Sequence, residues 1–239
     1  MFYAERDLGR ELYASGAFRE AVEHLTRALS ENQTSTRSRY LRGLAFYHRG
    51  EIKRAIVDFE TTIEFDPNYS ASYAELAIAL MHDSRLDRAI AVMNDALQRF
   101  PDSENRHFLH RNLGIAYARS GKTKESRASY KQAVDENPAY YDGHISLGKV
   151  YYTNGELHKA TEQFQEALSL RPESGAALLQ LGIVRYELDD LATSTRLLEK
   201  AIKADSTLAD AYLYLSRVYG EQGDSKRARE FLLKHHRTR

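Results

Sequence analysis

The chain has 239 residues, with 34 basic against 34 acidic side chains, 42% apolar residues, four Pro, nine His, no Cys and no Trp. This apolar share with 28% charge belongs to a folded chain and sets disorder aside. Zero net charge lacks the basic excess of a nucleic-acid binder, and the lack of Cys removes disulfides, thiolate nucleophiles and thiolate-ligated metals.

In chain order, the apolar pattern describes pairs of short helices. Residues 2–35 place Gly9 and Leu12 in a first helix, Gly16 in a turn, and Ala21 and Leu25 in a second helix. Residues 36–69 repeat this with Gly43, Phe46, Gly50, Ala55 and Phe59, and close on Asp66-Pro67-Asn68. Residues 70–103 carry Ala77, Leu80, Ser84, Ala89, Met93 and Pro101 in the same places. Three residues, Glu104-Asn105-Arg106, then fall outside the frame, as an expected lengthening or bend between two sub-arrays. Residues 107–140 resume with Gly114, Tyr117, Gly121, Ser126, Tyr130 and Pro138. Residues 141–174 follow with Gly148, Tyr151, Gly155, Ala160, Phe164 and Pro172. Residues 175–208 carry Gly182, Tyr186, Asp189-Asp190, Ser194 and Leu198, and a partial unit, 209–239, carries Ser216, Tyr219, Gly223, Ala228 and Leu232.

Leu113, Leu147, Leu181 and Leu215 recur every 34 residues, and all four prolines share one column. Small residues let antiparallel helices approach closely, and the large residue beside them fills the neighbouring layer. Turn glycines permit positive φ, which Ser84 and Asp189-Asp190 accommodate less comfortably. Proline stops the second helix and redirects the chain. The pattern resembles the tetratricopeptide repeat (TPR) over essentially the whole chain. The resemblance implies an all-α fold, a right-handed α-solenoid of stacked antiparallel helix pairs, whose core exists only through stacking. At its end, His235 replaces the usual Ala before a basic tail, so the last helix is its own cap or the chain has been shortened there. Open ends leave room for self-association.

No cofactor or metal is expected. Ser120-Gly121-Lys122-Thr123 looks like the end of a phosphate loop, but Ala116 stands where the leading Gly belongs, and the preceding segment is helical. His107 and His110 can share a helix face without a further ligand in view, while His110 and His144 fall in a bulky packing column. No nucleophile signature appears, so the chain is not expected to be an enzyme. Asn32-Gln33-Thr34 and Asn68-Tyr69-Ser70 match glycosylation sequons that mean little alone. Leu76 to Met81, the longest apolar run, is far below the roughly 18 residues needed to span a bilayer. Met1–Arg6 lacks the layout of a secretion signal, which makes the cytoplasm the default and requires a removed leader for an envelope location.

In TPR proteins the first helices line a concave groove, so the resemblance implies partner contacts at Tyr3, Arg6, Arg10, Tyr13, Arg37, Tyr40 and Tyr47. Further along, it implies Ile78, Met81, Arg111, Ile115, Lys149, Tyr152, Leu179 and Ile183, with Glu187 as the last groove place of the sixth repeat. Arg supplies forked donors for carboxylates and Tyr supplies broad contact area. Tyr and Arg serve equally as fillers between stacked helices. The clamp with which TPR adaptors hold acidic chaperone tails is absent, because Arg6, Arg10, Leu41, Ala71 and Glu75 stand at its places. The expected function is a non-catalytic scaffold or adaptor for a protein or peptide with acidic residues near one end, with no nucleic acid and no membrane span. Two alternatives drawn from resemblance are a bacterial envelope assembly factor for pili or secretins, and a regulatory subunit of a separate enzyme or signalling complex.

Overall fold

The computed structural model describes residues 1–238, so Arg239 of the basic tail lies outside the described residues. Among these there are fourteen α-helices and no strand. They are α1 (Phe2–Ala14), α2 (Phe18–Glu31), α3 (Thr36–His48), α4 (Ile52–Phe65), α5 (Ser70–His82), α6 (Leu86–Arg99), α7 (Arg106–Arg119), α8 (Thr123–Glu136), α9 (Tyr141–Thr153), α10 (Leu157–Leu170), α11 (Gly175–Glu187), α12 (Leu191–Ala204), α13 (Ala209–Glu221) and α14 (Ser225–Thr238). The chain divides into two compact units, Met1–Lys122 and Thr123–Arg239. The division lies in the turn between α7 and α8.

Each odd helix ends in the same turn. The residue after the left-handed position donates its amide to a carbonyl five residues back: Ala17 to Leu12, Glu51 to Phe46, Arg85 to Leu80, Glu156 to Tyr151, Asp190 to Arg185 and Asp224 to Tyr219, all at 2.8–2.9 Å. This closure satisfies the last carbonyls of a helix. Five turns use Gly at positive φ, whereas Ser84 (φ 61°) and Asp189 (φ 62°) adopt it as non-glycine residues. Ser120, Gly121 and Lys122 form the same turn at the end of α7, and their amides are committed to Ala116, Ala118 and Tyr117 carbonyls. These three amides serve to close the helix.

The small residues act by steric clearance. A Cβ added to Gly43 would lie 2.7 Å from Phe59 Cε1, and one added to Gly148 would lie 2.5 Å from Phe164 Cε1. In repeat three the corresponding pair is Ala77 with the pliable Met93, both fully buried. Where the second helix starts with Ser194, its hydroxyl crosses to the Gly182 carbonyl at 2.8 Å, and the Ser216 hydroxyl reaches Ala228 in the same way at 2.7 Å.

The column expected to supply bulk also stitches the connections between pairs. Tyr73 donates to the Pro67 carbonyl (3.0 Å), His144 Nε2 to Pro138 (2.9 Å), Tyr212 to Ser206 (3.2 Å), and the Arg39 guanidinium to Gln33. Each partner lies six residues upstream, in the loop entering that helix. His144 is 7% exposed and also meets the Gln163 side chain at 2.9 Å, so it is both packed and hydrogen-bonded. The three extra residues lengthen the α6–α7 connection to 100–105 and start α7 one residue early, at Arg106.

Within unit 1, α1 touches α3, α3 touches α5 and α5 touches α7; within unit 2, α9 touches α11 and α11 touches α13. Among the described residues the backbones of the even helices come close only to those of odd ones, although the Arg88 side chain of α6 reaches across to Glu60 of α4. The odd helices therefore sit on the inner, more crowded side of each unit.

Candidate partner-binding face

The inner face of unit 1 begins with a cluster of arginines. Arg6 grips Asp7 through Nε and Nη2 at 3.0 and 2.8 Å and lies 5.0 Å over the Tyr3 ring. That fork holds the Asp7 carboxyl below its ordinary value, with further help from the charges of Arg10 and Arg37. Arg10 and Arg37 are exposed and make no ion pair among the described residues, and Tyr3 is 68% exposed. Other arginines of the unit do act as fillers. Arg42 forks onto buried Asp58 at 2.8 Å through both nitrogens, and Arg39 approaches the same carboxylate at 3.8 Å.

Next along the face stand three half-buried tyrosines. Tyr40 packs 5.9 Å from Phe59 and 5.1 Å from Tyr69; Tyr13 packs 5.8 Å from His48, and Tyr47 packs 5.3 Å from His82. Burial raises all three hydroxyl pKa values, and the Glu75 carboxylate raises them further. Glu75 itself is pushed up by burial, and no cation offsets it. It lines a cleft of about 350 Å³ with Tyr40, Ile78, Phe108 and Asn112, closed on one side by the 100–105 connection. Sequence reading noticed Glu75 only as a missing clamp cation, because a lone acid on a helix reads as solvated charge.

Farther on, Arg111 is half-buried with its Nε lacking a hydrogen-bond partner, and Ile115 packs on the core. Met81 is a correction: at 5% exposure it belongs to the core of unit 1 and offers a partner little surface. Leu179 and Ile183, at 6% and 7%, are corrected in the same way for unit 2. The reason is common to all three, since neighbouring odd helices touch and apolar side chains between them are covered.

Unit 2 keeps Lys149 exposed and Tyr152 half-buried. Burial raises the Tyr152 hydroxyl pKa, aided by Tyr214 and Glu187. The Tyr152 hydroxyl donates to Glu187 at 3.4 Å, and Tyr186 donates to Glu221. These two bonds are the same bond one repeat apart. Tyr186 therefore occupies the groove place that sequence reading gave to Glu187, and Arg185 takes the packing column. Arg217 lies 4.8 Å over the Tyr214 ring and completes this aromatic group.

Among the described residues no three His, Asp or Glu gather as a metal site, and no helix is long and apolar enough to cross a membrane. His107 Nδ1 meets the Glu104 carbonyl at 3.0 Å.

Hsp70-Hsp90 organizing protein 3 of Arabidopsis thaliana is 25% identical over 105 residues, a match spanning 44% of this chain but only 18% of that protein. Among solved structures, Pseudomonas aeruginosa PilF superposes with a TM-score of 0.72 at 17% identity, covering 98% of this chain and 97% of PilF. PilW, described as a widely conserved type IV pilus biogenesis factor, gives 0.76 at 16% identity over 88% of this chain and 96% of PilW. Both are likenesses of fold. Tetratricopeptide repeat sequence families match residues 6–70, 111–175 and 146–208, and another matches 69–135. With its helix pairs, clearance glycines and closing turns covered by these matches from residue 6 to residue 208, the chain belongs to the tetratricopeptide repeat family.

Proposed function

We propose that this chain is a non-catalytic scaffold that holds a protein or peptide partner against its inner, odd-helix faces. The observation that carries this reading is the division among the arginines of unit 1. Arg39 and Arg42 are consumed by Asp58 inside the stack, whereas Arg10 and Arg37 stand exposed without an ion pair, close enough to act on the Asp7 carboxyl that Arg6 holds from its place over the Tyr3 ring. Packing does not account for the second set. Forked donors next to exposed aromatic surface suit a carboxylate-bearing segment. An acidic chaperone tail is not the partner we favour: Leu41 packs on the core and Glu75 carries the wrong charge for a clamp. Charge reversal of Arg6, Arg10 and Arg37 to Glu should abolish capture of the native partner while leaving the thermal unfolding curve in place. Undiminished capture would move the site off this face.

The near full-length likeness to PilF and PilW favours a narrower reading, assembly of an envelope pilus. Under it, deletion of the gene should remove surface pili from the host cell. Normal piliation would overturn that reading and leave the scaffold reading standing.

A further inference from the structure

The cleft between α3, α5 and α7 contains a contradiction that the protein does not resolve internally. Glu75 is half-buried, yet no hydrogen bond or ion pair reaches its carboxylate among the described residues. A carboxylate drawn out of water without a partner is unfavourable, and burial alone sets the upward direction of its titration. The surroundings supply no positive charge; instead Tyr13, Tyr40 and Tyr47 all sense its negative field. Around it the cleft offers Tyr40 and the 45% exposed ring of Phe108, with Ile78 as an apolar wall.

These features are complementary to one kind of group. A lysine or arginine presents a methylene stem that suits the apolar wall and a cation that suits both aromatic faces and the carboxylate. A neutral donor would fill the space but leave the charge uncompensated. We propose that this cleft receives a basic side chain of the partner segment, with Glu75 as its counter-ion and Tyr40 and Phe108 as its aromatic walls. The proposal rests on the inner face of unit 1 being the partner-binding face. It adds a feature to the partner: acidic residues for the α1–α3 arginines, then a basic residue for α5.

The test is an NMR titration of the full chain with N-acetyl-arginine amide, using N-acetyl-citrulline amide as the neutral isostere. The arginine probe should shift the amides of Ala74, Glu75 and Ile78 and of the 100–105 connection, and bind about tenfold more tightly than citrulline. Glu75→Gln should erase that preference while unfolding at the same temperature as the wild type or higher. Equal binding of both probes, no shift with either, or a preference that survives in Glu75→Gln would overturn the proposal. So would a lower unfolding temperature for Glu75→Gln, which would make Glu75 a structural group. If arginine reversal abolishes partner capture but Glu75→Gln changes neither capture nor probe preference, the cleft assignment fails and the scaffold reading stands. If the probe result holds while capture survives arginine reversal, the broader reading fails instead.

Discussion

Replacing Gly148 with Ala adds one methyl at the tightest crossing of α9 and α10. That carbon would sit 2.5 Å from Phe164 Cε1 and 2.8 Å from Cδ1, whereas carbon atoms in good contact lie about 3.5–4 Å apart. The ring or the helix must therefore retreat by about 1 Å. Two effects oppose each other. Alanine in a helix interior is favoured over glycine by about 1 kcal/mol, and overpacking a well-filled core costs about 1–3 kcal/mol. Phe164 is fully buried, and α9 and α10 are joined by a tight turn, so neither can yield freely. The expected net loss is about 1–2 kcal/mol. The chain itself supplies the control, because Ala77 and Met93 occupy the equivalent pair in repeat three. Gly148→Ala combined with Phe164→Met should recover most of the loss, since an unbranched thioether can bend away from the new methyl. Urea unfolding followed by far-UV circular dichroism on the wild type, both singles and the double gives the coupling. If Gly148→Ala proves as stable as the wild type, helix propensity outweighs clearance and the steric account of this column is wrong.

Asp58→Ala leaves Arg42 and Arg39 without their shared buried carboxylate and should destabilise the protein by about 3 kcal/mol in the same urea experiment; a loss below about 1 kcal/mol would refute the structural role of the pair. Ser84→Gly relieves a left-handed serine and should stabilise by about 1 kcal/mol, while Gly155→Ala, at φ 76° with open space around it, should lose a similar amount; identical melting temperatures would contradict both. Glu75 gives a pH signature of defined sign. Its carboxyl is raised by burial, so the folded chain keeps the proton to higher pH than the unfolded chain, and stability falls as pH rises from the ordinary value of 4.5 through the folded value. Tyr13, Tyr40 and Tyr47, which sense this charge, stay neutral in that range. The stability difference between Glu75→Gln and wild type should thus be smallest in acid and grow in the variant's favour toward neutral pH. A difference that does not vary with pH would refute it.

The helix pairs were legible because their signals are local: a small residue, a turn residue and a stop recur at fixed offsets, and each acts within its own repeat. The inner face was less legible, since its chemistry depends on contacts between repeats. Tyr186 is misplaced for a simpler reason: matched by type its aromatic ring fits the packing column, but counted by the 34-residue period it stands one place further on, and its bond to Glu221, parallel to that of Tyr152 with Glu187, agrees with the count. Met81, Leu179 and Ile183 occupy groove places by count but are covered by the adjoining odd helices. The pairing of Arg6 with its own neighbour Asp7 depends on rotamers that no spacing rule dictates. Glu75 escaped for the opposite reason, as its significance lies in the absence of any partner for it.

The stitching of each entry loop onto the helix that follows it has a consequence for how such a chain changes over time. With Tyr73, His144 and Tyr212 tying off their own incoming loops, and every odd helix closing its own carbonyls, those repeats ask little of the next one for backbone bonding. What joins neighbours is then mostly shape and greasy contact area, which tolerates exchange. A whole repeat could be copied, deleted or swapped without orphaning a peptide group, and a few residues could be spliced into a joint, as the 100–105 connection already illustrates. The lining of the inner face would be free to diversify on a frame that repairs its own seams.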